Sequence, residues 1–172
     1  MDPGRFDALV AAHHGEIYRY LLRATSRASE ADDLAQETFL RAYRAHGTLT
    51  PDANARAWLF TIATNVAKNH FRAESRRRRA HTAMRATLSA TAGTEPEGET
   101  LFNEARARLD AVVAALPLKQ RLAFTLRKVH DLDYDVIARN LGCSPESARA
   151  HVFQALKKIR LSLNGHELSP GE

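Results

Sequence analysis

Thr61, Asn65, Lys68 and Arg72 recur at intervals of three and four residues, and the last stands just ahead of Arg76-Arg77-Arg78-Arg79. At ~100° per residue this spacing lines one side of a helix. Amides on such a stripe hydrogen-bond base edges and cations meet phosphates, so the set, with Asn69 at its border, suits a melted or single nucleic-acid strand. Trp58 stands at the start of the same helix, where an indole either stacks on an unpaired base or anchors a core. The four arginines are open to two readings, linker solubility and phosphate contact.

A second polar set lies near the C-terminus. The segment from Asp133 to Gly142 reads as a short helix that stops where a positive φ costs least. Ser144 is a good N-cap, Pro145 suits the first helical position, and an amphipathic helix runs on through Ser162. Two helices joined by a tight turn form the unit that places its second helix in the major groove of DNA. In that second helix Ala148, Val152, Ala155, Leu156 and Ile159 form the stripe for burial. Ser147, Ala150, Gln154 and Lys157 face away, flanked by Arg149, His151, Phe153 and Lys158. Gln154 has the geometry for a bidentate contact to adenine. Phe153, off the buried stripe, packs either on something outside, such as a thymine methyl or a partner, or in a broader core that Leu161 and Leu163 extend.

A third face is mixed. From Ser29, read as an N-cap with Asp32 three residues on, to Ala45, the residues Ala31, Leu34, Thr38, Ala42 and Ala45 share one side. Asp33, Gln36, Glu37, Leu40 and Arg44 share another. That face is a solvated surface or a docking site for a partner protein.

These helices need a frame. The chain has 172 residues and a formal net charge of +5, room for one ordinary domain or two small ones. The charge agrees with a nucleic-acid partner without singling one out. Helical periodicity from about Phe6 to Arg72 gives way, over 74–100, to arginines, small residues and Gly93-Thr94-Glu95-Pro96-Glu97-Gly98-Glu99, a linker composition flexible at least in its second half. Periodicity returns from Leu101, and no strand alternation is found. The expectation is an all-α chain of two small helical domains, 1–73 and 101–165, a linker at 74–100 and a tail at 166–172.

No enzyme chemistry is expected. His13-His14 point to different helix faces, the other histidines are scattered, and no phosphate-binding glycine loop or nucleophile with its base is found. The single cysteine, Cys143, excludes an internal disulfide framework and fits a reducing cytoplasm. No apolar run approaches the ~20 residues that span a bilayer, and the N-terminus lacks a signal-peptide plan. A cytoplasmic protein without cofactor, metal or small-molecule substrate is expected.

Three motifs in order resemble one family. Asp32-Asp33-Leu34-Ala35-Gln36-Glu37-Thr38-Phe39-Leu40-Arg41-Ala42-Tyr43-Arg44 is similar to the clamp-binding helix of the extracytoplasmic-function (ECF) sigma factors of bacterial RNA polymerase. Ala57-Trp58-Leu59-Phe60-Thr61-Ile62-Ala63-Thr64-Asn65-Val66-Ala67-Lys68-Asn69 resembles the same family's promoter −10 reader, and the helix-turn-helix resembles its −35 reader. The resemblance implies an alternative sigma factor that binds core RNA polymerase and directs promoter-specific initiation. Asp33, Gln36, Glu37, Leu40 and Arg44 would meet the polymerase clamp. Asn65, Lys68 and Asn69, supported by Arg56, Trp58 and Arg72, would hold the opened −10 strand of promoter DNA. Ser147, Arg149, Ala150, His151, Phe153, Gln154 and Lys157 would meet the −35 duplex. Ala150, His151 and Gln154 depart from the serine, arginine and arginine common in the family, so the family's −35 consensus does not carry over. An anti-sigma factor is a further implied partner. The alternatives are a dimeric helix-turn-helix regulator working without polymerase, and a helical protein-interaction module whose basic residues are only surface.

Overall fold

The computed structural model of the chain describes residues 3–84 and 101–165, all of them helical or in short turns between helices. α1 (Pro3–Thr25) buries Phe6, Ile17, Tyr20, Leu21 and Ala24, spaced for one face of a helix. A left-handed Ser26 (φ 60°) turns the chain into α2 (Ala28–Ala45), whose buried side, Ala31, Leu34, Ala35, Thr38 and Ala42, is mostly small and lets α1 approach closely. The α2 start differs from the expected Ser29 cap. Arg27 occupies the N-cap position in extended conformation with no side-chain cap, its N–H 3.4 Å from Thr25 Oγ1. α3 (Ala55–Met84) begins where Asn54 Oδ1 accepts from the Ala57 N–H at 3.0 Å. Leu59, Phe60, Ala63, Val66 and Ala67 bury its first half, and the Tyr20 hydroxyl meets Thr64 Oγ1 at 2.9 Å within that core.

α3 then continues through the four arginines, so the segment at 74–84, whose composition reads as linker, is helical. Arginine and alanine are good helix formers, and Glu74 pairs with Arg78 at 2.8 Å. The second half of the expected linker and the tail from 166 lie outside the described residues.

The second block comprises α4 (Leu101–Ala114), α5 (Leu118–Phe124) running into a π-helical turn (Thr125–Val129), α6 (Tyr134–Leu141) and α7 (Pro145–Asn164). The local signals for the last two hold. Gly142 closes α6 at φ 65°, and Ser144 Oγ accepts from the Ser147 N–H at 3.1 Å with Pro145 in the first turn. Ala148 and Val152 of α7 join the main core, while Ala155 and Ile159 form a smaller one with Val113 and Leu116. Leu161 and Leu163 are exposed rather than extending it.

The two blocks are packed together, and the main core runs through both. Arg121 of α5 donates to the Ala24 carbonyl in the last turn of α1, and its guanidinium lies 5.4 Å from the Phe71 ring centroid. Arg23 meets Asp110 at 3.3 Å. Around His130, Arg56 bridges Glu16 and the His130 carbonyl, while the His130 ring packs against Phe60 at 4.9 Å and Tyr20 at 5.8 Å.

Candidate functional site

The mixed face of α2 is open to solvent. Asp33, Gln36, Leu40 and Arg44 are exposed, Leu40 to 46 %, and Glu37 is half-buried with Arg41 on its carboxylate at 2.6 Å. Beside them lies an open groove of about 550 Å³ between α1 and α2, with Phe6, Val10, Phe39 and Tyr43 among its lining. Amides and acids next to an apolar trough give a protein surface both an anchor pocket and directional contacts. Phe6 and Val10 escape the sequence reading because α1 contributes them from a distant part of the chain.

The stripe of α3 is split by the second block. Asn65, Asn69 and Arg72 are exposed. Thr61 Oγ1 donates to Asn140 Oδ1 at 2.8 Å, and Lys68 Nζ donates to the Asn140 carbonyl at 3.1 Å. Burial, then the nearby Arg72 and Lys119, lowers the Lys68 ammonium below its ordinary range. Arg56 is committed to Glu16 and His130, and Trp58 is half-buried, packed against the main core.

Glu16, Arg56 and His130 form a charged knot at this junction. Burial alone would raise the Glu16 carboxyl, but the Arg56 hydrogen bond and charge, with His130 beside it, hold it below the usual range. Burial lowers His130 more than Glu16 raises it, so the imidazole is held neutral. The π turn and the left-handed Asp131 (φ 53°) that follows present this histidine to the first block. His130, Asn140 and Arg121 are residues the sequence reading missed. The available signal was Asn140, a polar side chain three residues after Ile137 on the otherwise apolar face of a short helix, 2 % exposed with Nδ2 unpartnered.

The outer face of α7 is free. Ser147, Arg149, Ala150, Phe153, Gln154 and Lys157 are exposed, and His151 is half-buried, its pKa lowered by burial and by Lys119. Phe153, 62 % exposed, is no part of a broader core. A helix following a tight turn and offering cations, an amide and one aromatic group has the composition of a groove-reading element. Among the described residues no cluster of metal-ligating side chains occurs, and no helix is long and apolar enough to cross a membrane.

Comparison with known proteins finds two successive family matches along the chain. The family model described as Sigma-70 region 2 matches residues 9–77, and that described as Sigma-70, region 4 matches residues 106–159. The RNA polymerase sigma-H factor of Pseudomonas aeruginosa is 33% identical over 169 residues, covering 94% of this chain and 88% of the relative. The ECF RNA polymerase sigma-E factor of Escherichia coli K12 is 30% identical over 165 residues, covering 92% of this chain and 86% of the relative. Among solved structures, the sigma factor RpoE bound to the anti-sigma factor NepR from Bartonella quintana superposes with a TM-score of 0.76 at 19% identity, covering 96% of this chain and 99% of that one.

Proposed function

The chain belongs to the ECF sigma factors of bacterial RNA polymerase, and from that premise we propose how its surface divides the work of initiation. As an alternative sigma factor it directs transcription initiation with core RNA polymerase on promoter DNA. The polymerase performs the chemistry in the cytoplasm, and this chain supplies position and choice. Asp33, Gln36, Glu37, Leu40 and Arg44 dock on the polymerase clamp, with the α1–α2 groove receiving an apolar side chain of the partner. Asn65, Lys68 and Asn69, with Arg56, Trp58 and Arg72 around them, hold the opened −10 strand. Ser147, Arg149, Ala150, His151, Phe153, Gln154 and Lys157 meet the −35 duplex. Residues 1–73 and 101–165 act as the two promoter-reading domains, with 74–100 between them.

The observation that carries this reading is the presence on one chain of three separate polar faces, two bearing groups suited to DNA and one bearing acids and an apolar trough unsuited to it. A regulator working alone on a palindrome needs no such acidic face. In the packed arrangement Arg56 and Lys68 both reach the second block, so strand capture requires the blocks to part, which frees the Lys68 ammonium and releases Arg56 from the His130 carbonyl while Glu16 still holds it. An anti-sigma factor, the class of partner seen on the Bartonella protein, is proposed to act on the same two blocks. Run-off transcription of genomic DNA by core polymerase with and without the chain is the test. New start sites sharing two elements at fixed spacing are expected, whereas tight palindrome binding without polymerase and no new starts would overturn the reading.

A further inference from the structure

Arg149 and Arg127 converge on a single aromatic ring. Tyr134, the first residue of α6, has the Arg149 guanidinium carbon 5.1 Å from its ring centroid and that of Arg127 at 5.0 Å. Arg127 is fixed on its other side, donating to the Leu132 carbonyl at 3.1 Å and reaching Asp131 at 3.5 Å. Among the described residues Arg149 has no comparable tether. Its one carboxylate, Glu146, lies 4.0 Å away with both side chains largely in water, a pair of little worth. The ring is therefore what orders a long, exposed arginine that otherwise samples many rotamers.

We propose that Tyr134 is a positioning residue for −35 recognition: its ring, held by Arg127, presets the Arg149 guanidinium for the duplex. This rests on the −35 reading of α7 given above. An arginine that recognises guanine does so through two parallel hydrogen bonds whose geometry is lost when the guanidinium wanders, and ordering it beforehand lowers the entropy lost on binding. The same contact joins the first turn of α6 to the first turns of α7. The Tyr134 hydroxyl has no hydrogen-bond partner among the described residues, so the ring rather than the oxygen is what positions the arginine.

The test uses holoenzyme reconstituted from the full chain and core polymerase, on a promoter found by run-off transcription, with randomised −35 sequences selected in parallel. Tyr134→Leu is expected to weaken duplex promoter binding about 2- to 5-fold, the size of one exposed cation–π contact, and to relax preference at the position that Arg149→Ala relaxes. Tyr134→Phe is expected to match the parent. In the Arg149→Ala background Tyr134→Leu is expected to cost nothing more, which a role in folding alone would not give. Additive losses, a Tyr134→Phe defect equal to that of Tyr134→Leu, or a silent Tyr134→Leu beside an effective Arg149→Ala each overturn the proposal while leaving the −35 reading intact. A silent Arg149→Ala overturns it because the residue then has no part in recognition, and a parent that shows no −35 preference overturns the reading as well. Should Tyr134→Leu fail to fold, the unmodified chain supplies a second measurement. The Arg149 δ-protons are expected to show an upfield ring-current shift, and their absence there overturns the proposal.

Discussion

Replacing Arg121 by methionine is expected to weaken the packing of the two blocks without touching any residue proposed to contact DNA or polymerase. The Arg121 guanidinium supplies a hydrogen-bond donor to the Ala24 carbonyl, one of the terminal carbonyls that α1 cannot satisfy itself, at the negative end of that helix. It also lies 5.4 Å from the Phe71 ring centroid. A hydrogen bond to a charged group contributes about 1.5–3 kcal/mol and a partly buried cation–π contact about 0.5–2 kcal/mol. Against these stands the cost of burying the charge, seen in the lowering of the Arg121 pKa by desolvation. The bond to the Leu116 carbonyl at 3.4 Å lies within the second block and cancels between packed and parted forms. A net loss of about 2 kcal/mol, or about 30-fold in the ratio of packed to parted molecules, follows for a methionine that keeps the apolar stem. Lys68 reports it directly, because its ammonium is tied to the Asn140 carbonyl only while the blocks are packed. Modification of the full chain by an amine-reactive ester, read by mass spectrometry, is expected to run up to about 30-fold faster at Lys68 in Arg121→Met and at an unchanged rate at exposed Lys157. An unchanged Lys68 rate in a folded variant would refute the reasoning.

Gln36→Ala with Glu37→Ala is expected to weaken competition for core polymerase against another sigma factor while melting within about 0.5 kcal/mol of the parent, since the groups lost are largely solvated; undiminished competition removes the interface assignment. Asn65→Ala and Lys68→Ala are expected to slow open-complex formation on duplex promoters and to be rescued on pre-melted ones, and an equal defect on both templates rules out strand capture. Acidification is expected to weaken the fold through His130. Its folded pKa lies below the unfolded 6.5, so its contribution is complete above that pH and falls away as pH drops from there toward the folded value; Glu16, also depressed, adds its loss only below about 4.5. Melting temperature followed from pH 7.5 to about 5.5 should therefore fall more steeply in the parent than in His130→Phe, in which Glu16, Arg56 and Arg23 still face the site, and parallel curves would exclude this origin.

What the sequence disclosed depended on range. The helix-turn-helix was legible because its signals are local: a glycine at positive φ, a serine cap and a proline in the first turn act within four residues. The faces of α2 and α7 followed from periodicity for the same reason. The start of α2 differs from the Ser29 cap its sequence suggests because the reversal rests on the backbone of Ser26 and the Thr25 hydroxyl, not on a serine side chain. α3 ran past its expected end because a composition poor in buried groups still propagates a helix once one is nucleated. The junction of the blocks left no periodic trace. Arg56 with His130, Asn140 with Thr61 and Arg121 with Ala24 are pairings across 74, 79 and 97 residues.

The arginine run on the far half of α3 has a geometric consequence. Four consecutive residues on an α-helix are turned ~100° from one another, so their guanidiniums are spread around nearly the whole circumference rather than gathered on a side. Arg76, Arg77, Arg78 and Arg79 are all exposed, and only Arg78 has a carboxylate partner among the described residues. The rod beyond Phe71 is thus collared with charge and has no orientation to lose. Any polyanion running past it meets a cation whatever the roll angle of the helix, so the attraction is indifferent to base sequence and to small rotations, and is set by ionic strength alone.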